Sequence, residues 1–250
     1  SAGVTLLGAY NEETQTRAIY YCTHCGNTEY SRNLDEHKKC PKCNEPYHSI
    51  IDRDHGAYTL AYEPIGFRTD QNIDSSREEK TEKRFYDIQP VLLKADWQNP
   101  AEINLCQIAS SGETGEILFY NVGAGHGFAM CKRCGRASVE FSQHDPNIPN
   151  GVNVGHKRLW GDNCDANEHD IARHVVLTGR HQTCYSVLRF REDPESQTFV
   201  NDEQLVYSLG VILKRALVEY LGIDEGEVDF GVKQEQGSRI LFIFDTAKGG

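Results

Sequence analysis

The sequence predicts an α+β fold, mostly antiparallel β-structure with one long C-terminal helix, stapled by two zinc sites. Three observations predict it. Six of the nine cysteines fall in three C-x-x-C pairs, Cys22 with Cys25, Cys40 with Cys43, and Cys131 with Cys134. Short runs rich in β-branched and aromatic residues, bounded by Gly, Pro, Asn and Ser, fill much of the chain. A single stretch, from Asn201 to Gly222, holds a sustained helical period.

A chain of 250 residues can hold one large domain or two smaller ones. The expected division is a zinc-ribbon portion over 1–60 and a second domain over 61–250. The cysteines do not form the pattern of a secreted disulfide framework: their number is odd and most are paired at metal-ligand spacing. With no signal peptide in the sequence and no apolar run of membrane-spanning length, a reducing, cytoplasmic setting and no membrane partner are expected. The first residue is Ser1, and Gly249-Gly250 ends the chain directly after a strand-like run, as expected for a piece of something larger.

The formal net charge is −11, unlike that of a protein that lives by neutralising phosphates. The charge is uneven. Residues 131–160 carry Lys132, Arg133, Arg136, Lys157 and Arg158 against Glu140 and Asp145. A weak contact with DNA is expected there, and the chain as a whole reads as a poor general DNA binder.

In chain order, residues 4–21 read as strand through Ile19, Tyr20 and Tyr21. Cys22-Thr23-His24-Cys25-Gly26 and, after fourteen residues, Cys40-Pro41-Lys42-Cys43 then give the spacing of a zinc ribbon. Four thiolates make a closed shell, so this site is expected to be structural; His24 and His37 read as surface residues. Residues 74–84 are polar throughout, with charges of both signs, and read as a solvated loop or short helix. Strands are expected at 85–93, 103–108 and 116–121, the last two as a hairpin across Ser110–Gly115. Gly123-Ala124-Gly125-His126-Gly127 follows a strand but leads into a knuckle rather than a helix, so it reads as a turn and not as a phosphate loop.

Cys131-Lys132-Arg133-Cys134-Gly135 fills half of a second tetrahedral shell. His156 and Cys164 are the expected remaining ligands, with His144 and His169 as competitors. Further strands are expected at 171–177 and 183–191, with a turn near Gly179 flanked by His174 and His181. Asn201 with Gln204 marks a capped helix start, and Gly222 its end. Residues 227–232 and 239–245 read as a terminal hairpin.

Several of these pieces occur together in a recognisable order. They are Tyr62-Glu63-Pro64-Ile65-Gly66-Phe67, then Gly127-Phe128 leading into Cys131, Cys134 and Gly135. His156, Cys164 and His181-Gln182-Thr183 follow, then Ser208-Leu209, Leu221-Gly222-Ile223-Asp224 and Phe244-Asp245-Thr246. In this, residues 61–250 resemble the zinc-binding domain found C-terminal to the motor of MrfA-type DEAD/DEAH-box helicases, shared with phage-defence proteins of the DISARM kind. Cys184 is a departure, standing where the family usually shows an acidic residue. The resemblance implies a non-catalytic zinc-binding accessory domain in DNA repair or antiviral defence, whose partner is a helicase motor in the same chain or on another protein. No G-x-x-x-x-G-K-[ST] motif is present.

A zinc-dependent hydrolase or nuclease is the alternative, and needs one of the second site's four ligands to be false, because catalysis requires an open position. An autonomous nucleic-acid-binding zinc module is the other. The loop that carries His156 holds Pro146, Pro149, Gly151 and Gly155 and few large apolar residues. Metal is therefore expected to order it, and loss of the second site is expected to loosen the C-terminal helix more than loss of the first.

Overall fold

Thirteen residues from Ile171 to Thr183 form one strand that hydrogen-bonds to three others, and the rest of the chain is arranged about it. The computed structural model describes residues 4–6, 12–51, 56–65, 67–69, 88–93, 101–103, 106–110, 115–140, 152–158, 162–190, 203–235 and 238–246. In chain order the elements are β1 (Val4–Leu6), α1 (Glu12–Gln15), β2 (Thr16–Tyr21), β3 (Thr28–Ser31), β4 (Thr59–Tyr62), β5 (Phe67–Thr69) and β6 (Ile88–Leu92). Then follow β7 (Ala101–Ile103), β8 (Cys106–Ser110), β9 (Gly115–Asn121), β10 (Phe128–Cys131), β11 (Arg136–Val139), β12 (Ile171–Thr183) and β13 (Tyr185–Phe190). The chain ends with α2 (Glu203–Leu221), β14 (Val228–Glu235) and β15 (Ser238–Asp245). No helix among the described residues is long and apolar enough to cross a membrane.

The first sheet has ten strands. Eight run in the order β3-β2-β4-β12-β10-β11-β1-β5, and β9 and β6 are added beside the second half of β12. One of its pairs, β12 with β4, is parallel; its other pairs are antiparallel. The second sheet, β14-β15-β13-β8-β7, is antiparallel throughout. The mostly β fold with one long helix is thus the observed one, with a mixed sheet and an antiparallel sheet.

The two sheets and α2 stack as layers. Leu92 and Ile117 of the first sheet meet Tyr185, Val187, Ile240, Phe242 and Phe244 of the second. On the far side α2 packs over β14 and β15. Residues 240–244 are buried without a break because alternate side chains serve the two interfaces. Helix and sheet approach closely at Gly210, where a Cβ would lie 2.4 Å from the Phe230 ring and 3.0 Å from Leu241. Gly222, at φ 66°, ends α2 by letting the amides of Gly222 and Ile223 reach the carbonyl of Val218. The expected cap Asn201 and the polar run 74–84 lie outside the described residues.

Two expectations differ from the structure. The strands at 106–110 and 115–121 do not form a hairpin: β8 pairs with β7 and β13, whereas β9 pairs with β6 and β12 in the other sheet. Local alternation is the same for both arrangements, so only the partners distinguish them. No turn interrupts β12 at Gly179, which faces Phe119 in the middle of the β9 register. The irregularity lies at Arg173–His174. Phe128 pairs with Val175 and Met130 with Ala172, so one extra residue bulges from β12, with His174 at φ 56°. The Glu140 carboxylate holds the bulge, accepting from the His174 amide at 2.5 Å and from Arg173 at 3.2 Å. Position 60 falls inside β4, and β1 and β2 belong to the same sheet as β10, β11 and β12. The ribbon is built into the larger sheet through these pairings.

Substituting Gly210 tests the helix–sheet contact. Ala is the better helix former by about 1 kcal/mol. Overpacking against Phe230 typically costs about 1–3 kcal/mol. Gly210→Ala is expected to lower the unfolding free energy in urea by about 1 kcal/mol; a stabilised variant would show that the helix has room to move off the sheet.

Candidate metal centres

Each C-x-x-C pair follows the same local rule. A strand or bridge delivers the first cysteine, the chain turns, and a residue with positive φ follows the second. Those residues are Gly26 at 71°, Asn44 at 61° and Gly135 at 72°. Their amides bond back to the carbonyls of Cys22, Cys40 and Cys131 at 2.8, 2.8 and 2.9 Å. The turn aims both sulfurs of a pair to one side, while main-chain amides face them. Asn replaces Gly in the second turn because its short polar side chain tolerates the left-handed region.

The first centre brings together Cys22, Cys25, Cys40 and Cys43. Cys22 Sγ and Cys43 Sγ are 3.4 Å apart, as are Cys25 Sγ and Cys40 Sγ. These are not disulfide distances, and the thiols are free. Four sulfurs at about 2.3 Å around a tetrahedral ion would be about 3.8 Å apart, so the cluster needs only a slight expansion to take one. Cys22 and Cys40 are almost wholly buried, with Tyr20 and Tyr47 packed about them. Tyr47 donates to Glu29, which also pairs with Lys38, so the ribbon's far loop is tied to β3.

The second centre brings together Cys131, Cys134, His156 and Cys164. Cys131 Sγ and Cys164 Sγ are 3.9 Å apart, and His156 Nε2 is 3.2 Å from Cys134 Sγ. The His156 Nδ1–H donates to the Asn153 carbonyl at 2.7 Å, which leaves the Nε2 lone pair toward the sulfurs. Arg173 reaches the Asn153 side chain at 3.1 Å and so steadies the turn that supplies the imidazole. Cys164 enters through a tight return, its amide bonding to the His156 carbonyl at 2.8 Å. His169 belongs to neither cluster, and His144 lies outside the described residues.

Burial pushes the Cys25 and Cys134 thiols up to about 12. At Cys40 burial acts in the same sense, but the amides of Cys43 and Lys42 outweigh it and bring the thiol down to about 7. Without a cation, then, such a shell favours thiolate at some positions and thiol at others. A divalent ion supplies the charge that lets all the ligands ionise, and its uptake releases protons. Zinc fits the donor set, since sulfur with imidazole in a closed tetrahedral shell suits a soft-to-borderline ion.

The three arginines among the basic residues expected to meet DNA lie beside the second centre and are engaged with the protein. Arg133 lies 3.2 Å and Arg158 3.5 Å from the Asp165 carboxylate, and Arg136 donates to the Lys157 carbonyl at 2.9 Å. Asp165, next to Cys164, was not singled out in the sequence; its place one residue after a ligand and opposite two arginines is the only local sign of its role. The remaining sequence candidate, the 123–127 turn, holds glycines at positive φ and presents the His126 carbonyl to His174.

The first knuckle is also seated on the C-terminal hairpin. A Cβ at Gly26 would lie 1.7 Å from the Gln234 carbonyl oxygen of β14. No comparable contact links the second centre to α2 among the described residues. The close approach of Gly26 to β14 adds a contact with the C-terminal hairpin that cysteine spacing does not announce. No protein-family model, curated protein or solved structure matches the chain.

Two measurements test the centres. Elemental analysis of protein prepared in metal-free buffer should find two zinc ions per chain; one or none would remove at least one centre. In hydrogen exchange, Cys134→Ser should expose amides of β10, β11 and residues 152–166. Cys25→Ser should expose β2, β3 and β14. Unchanged protection in β14 would show that the Gly26 contact carries no stability.

Proposed function

We propose that the chain is a non-catalytic, zinc-binding accessory domain that docks with a DNA helicase motor, in DNA repair or defence against foreign DNA. The observation that carries this reading is that each cluster offers four protein ligand atoms within 4.8 Å of one another, enough to fill a tetrahedral shell. A closed shell leaves no position for substrate or for an activated water, and so serves structure. The ordered set of motifs resembling the helicase-associated domain supports the rest, with the motor in the same polypeptide or on a partner. Isolating the native full-length protein under mild conditions and identifying its components by mass spectrometry should recover a helicase motor. A native protein with no motor, covalent or bound, would end this reading.

X-ray absorption separates accessory domain from hydrolase. Zinc with sulfur and one imidazole, and no oxygen neighbour, is the expected result. An oxygen ligand on the second zinc would favour the hydrolase.

Direct DNA binding is a minor part of the reading. With Arg133 and Arg158 shared with Asp165, the cluster has little charge to spare for phosphates. The isolated chain is expected to bind duplex DNA weakly and to lose it between about 50 and 200 mM salt. Tight binding at physiological salt, unaffected by Arg133→Glu with Arg136→Glu, would transfer the DNA contact to another surface.

A further inference from the structure

Among the described residues Arg17 is the only lysine or arginine that is buried, with 5 % of its surface exposed. Arginine is almost never buried unless it is paired. Here no pairing is made. Its Nη1 donates to the Thr16 carbonyl at 2.8 Å, and no carboxylate of the described residues lies within 4.0 Å of it. Side chains alternate along β2, so Arg17 shares a face with Ile19. Its partner across the ladder is Ala61, which pairs in turn with Val176. Ile19, Ala61 and Val176 are wholly buried, so the arginine rises from apolar surface with a methyl group, not a counter-ion, across the ladder. A neighbouring ion pair is already complete. Arg180 takes both oxygens of Glu63, at 3.0 and 3.2 Å, and one oxygen of Glu116 at 3.3 Å. Arg17, Arg180 and Glu63 all act as charges on the Tyr30 phenol, whose hydroxyl is engaged with Thr178 at 2.8 Å.

Taking a guanidinium out of water without a counter-charge is costly. Water can accept its hydrogen bonds but supplies no charge. Thr16 occupies one hydrogen of Nη1, which leaves the Nε–Nη2 edge with two N–H groups side by side. That edge meets a carboxylate in two parallel charge-assisted bonds. The surroundings choose among anions. Glu63 and Glu116 together outweigh Arg180, so a doubly charged phosphate meets more repulsion than a singly charged carboxylate. The small exposed part of Arg17 admits a narrow group, and the apolar side chains beside it suit a ligand with a hydrocarbon stem. We propose that Arg17 anchors a binding site for a small organic carboxylate, held by parallel bonds from Nε and Nη2. The site is separate from both metal shells and stands whether or not the chain docks with a motor.

The Nε–H resonance of Arg17, in nitrogen-edited NMR spectra of the full zinc-loaded chain, is the direct reporter; its loss in Arg17→Lys assigns it. Acetate is titrated against chloride at constant ionic strength, with inorganic phosphate as a parallel series. Acetate is expected to move the resonance saturably, with a midpoint at about 10 mM or below. Phosphate should act at least about tenfold more weakly. A ligand that binds only the folded chain also raises its melting temperature, which gives a second reading in the variants. Arg17→Lys keeps the charge and loses the fork, whereas Arg17→Met loses both. The rise with acetate should shrink in the first and vanish in the second. Zinc content and hydrogen exchange in β2 report whether each variant is folded, and Arg17→Lys alone suffices if Arg17→Met does not fold. No movement of the resonance up to about 100 mM acetate, a range that covers millimolar affinity, overturns the proposal. So does phosphate binding as tight as that of acetate, or an acetate response unchanged in folded Arg17→Lys.

Discussion

The hydrogen bonding of β12 is the constraint on which the other features depend. Its first half pairs with β10, which runs directly into the second metal knuckle. Its second half pairs with β4 on one side, through which β2 and the first knuckle join, and with β9 on the other. Past Thr183 the chain crosses to the second sheet as β13. One strand thus connects both metal centres and both sheets, and each has little apolar surface of its own to stand on. The clusters around the cysteines are small and distinct from the core between the sheets.

Metal and sheet play complementary parts in this arrangement. Among the described residues, the segment from Val152 to Ala166 contributes Val152, Cys164 and Ala166 to a buried cluster. A structural zinc ion contributes on the order of 10 kcal/mol in small folds, comparable to the stability of a whole domain. Thiolate, imidazole and the Asp165 ion pairs therefore take the place of a core there, whereas between the sheets Ile117, Phe242 and Phe244 supply a conventional one.

The local features were legible in the sequence, and the long-range ones were not. Cysteine spacing carries its own geometry, because a turn of two residues leaves few ways to arrange two sulfurs. Residues 203–221 announce themselves because an apolar stripe at helical spacing has one explanation. By contrast, β8 and β9 share the same alternating pattern, and nothing in either says that one belongs to each sheet. Gly179 looked like a turn because glycine commonly is one; in β12 it sits opposite Phe119, where the ladder overrides local preference. His174 gave no sign of its left-handed backbone, which depends on Glu140, thirty-four residues away. The ribbon resembled a separate unit because its ligands are close in sequence, yet β2 is bonded to β4 and Gly26 abuts β14.

The bulge in β12 has a bearing on how this chain can vary. Ala172 and Val175 face the same cluster although an odd number of steps separates them, so the extra residue resets the parity of the strand. Deleting His174 would bring Ala172 and Val175 to even spacing and leave every later side chain on its present face. It would forfeit the Glu140 bond and the kink, and so alter the angle between the second metal centre and the two-sheet core. A deletion anywhere between Val176 and Gln182 would instead turn the rest of the strand inside out, sending Thr183 away from the Asp245 carbonyl it now holds at 2.6 Å. Length variation within β12 is thus admissible at one position, and what varies there is the angle between lobes rather than the make-up of either.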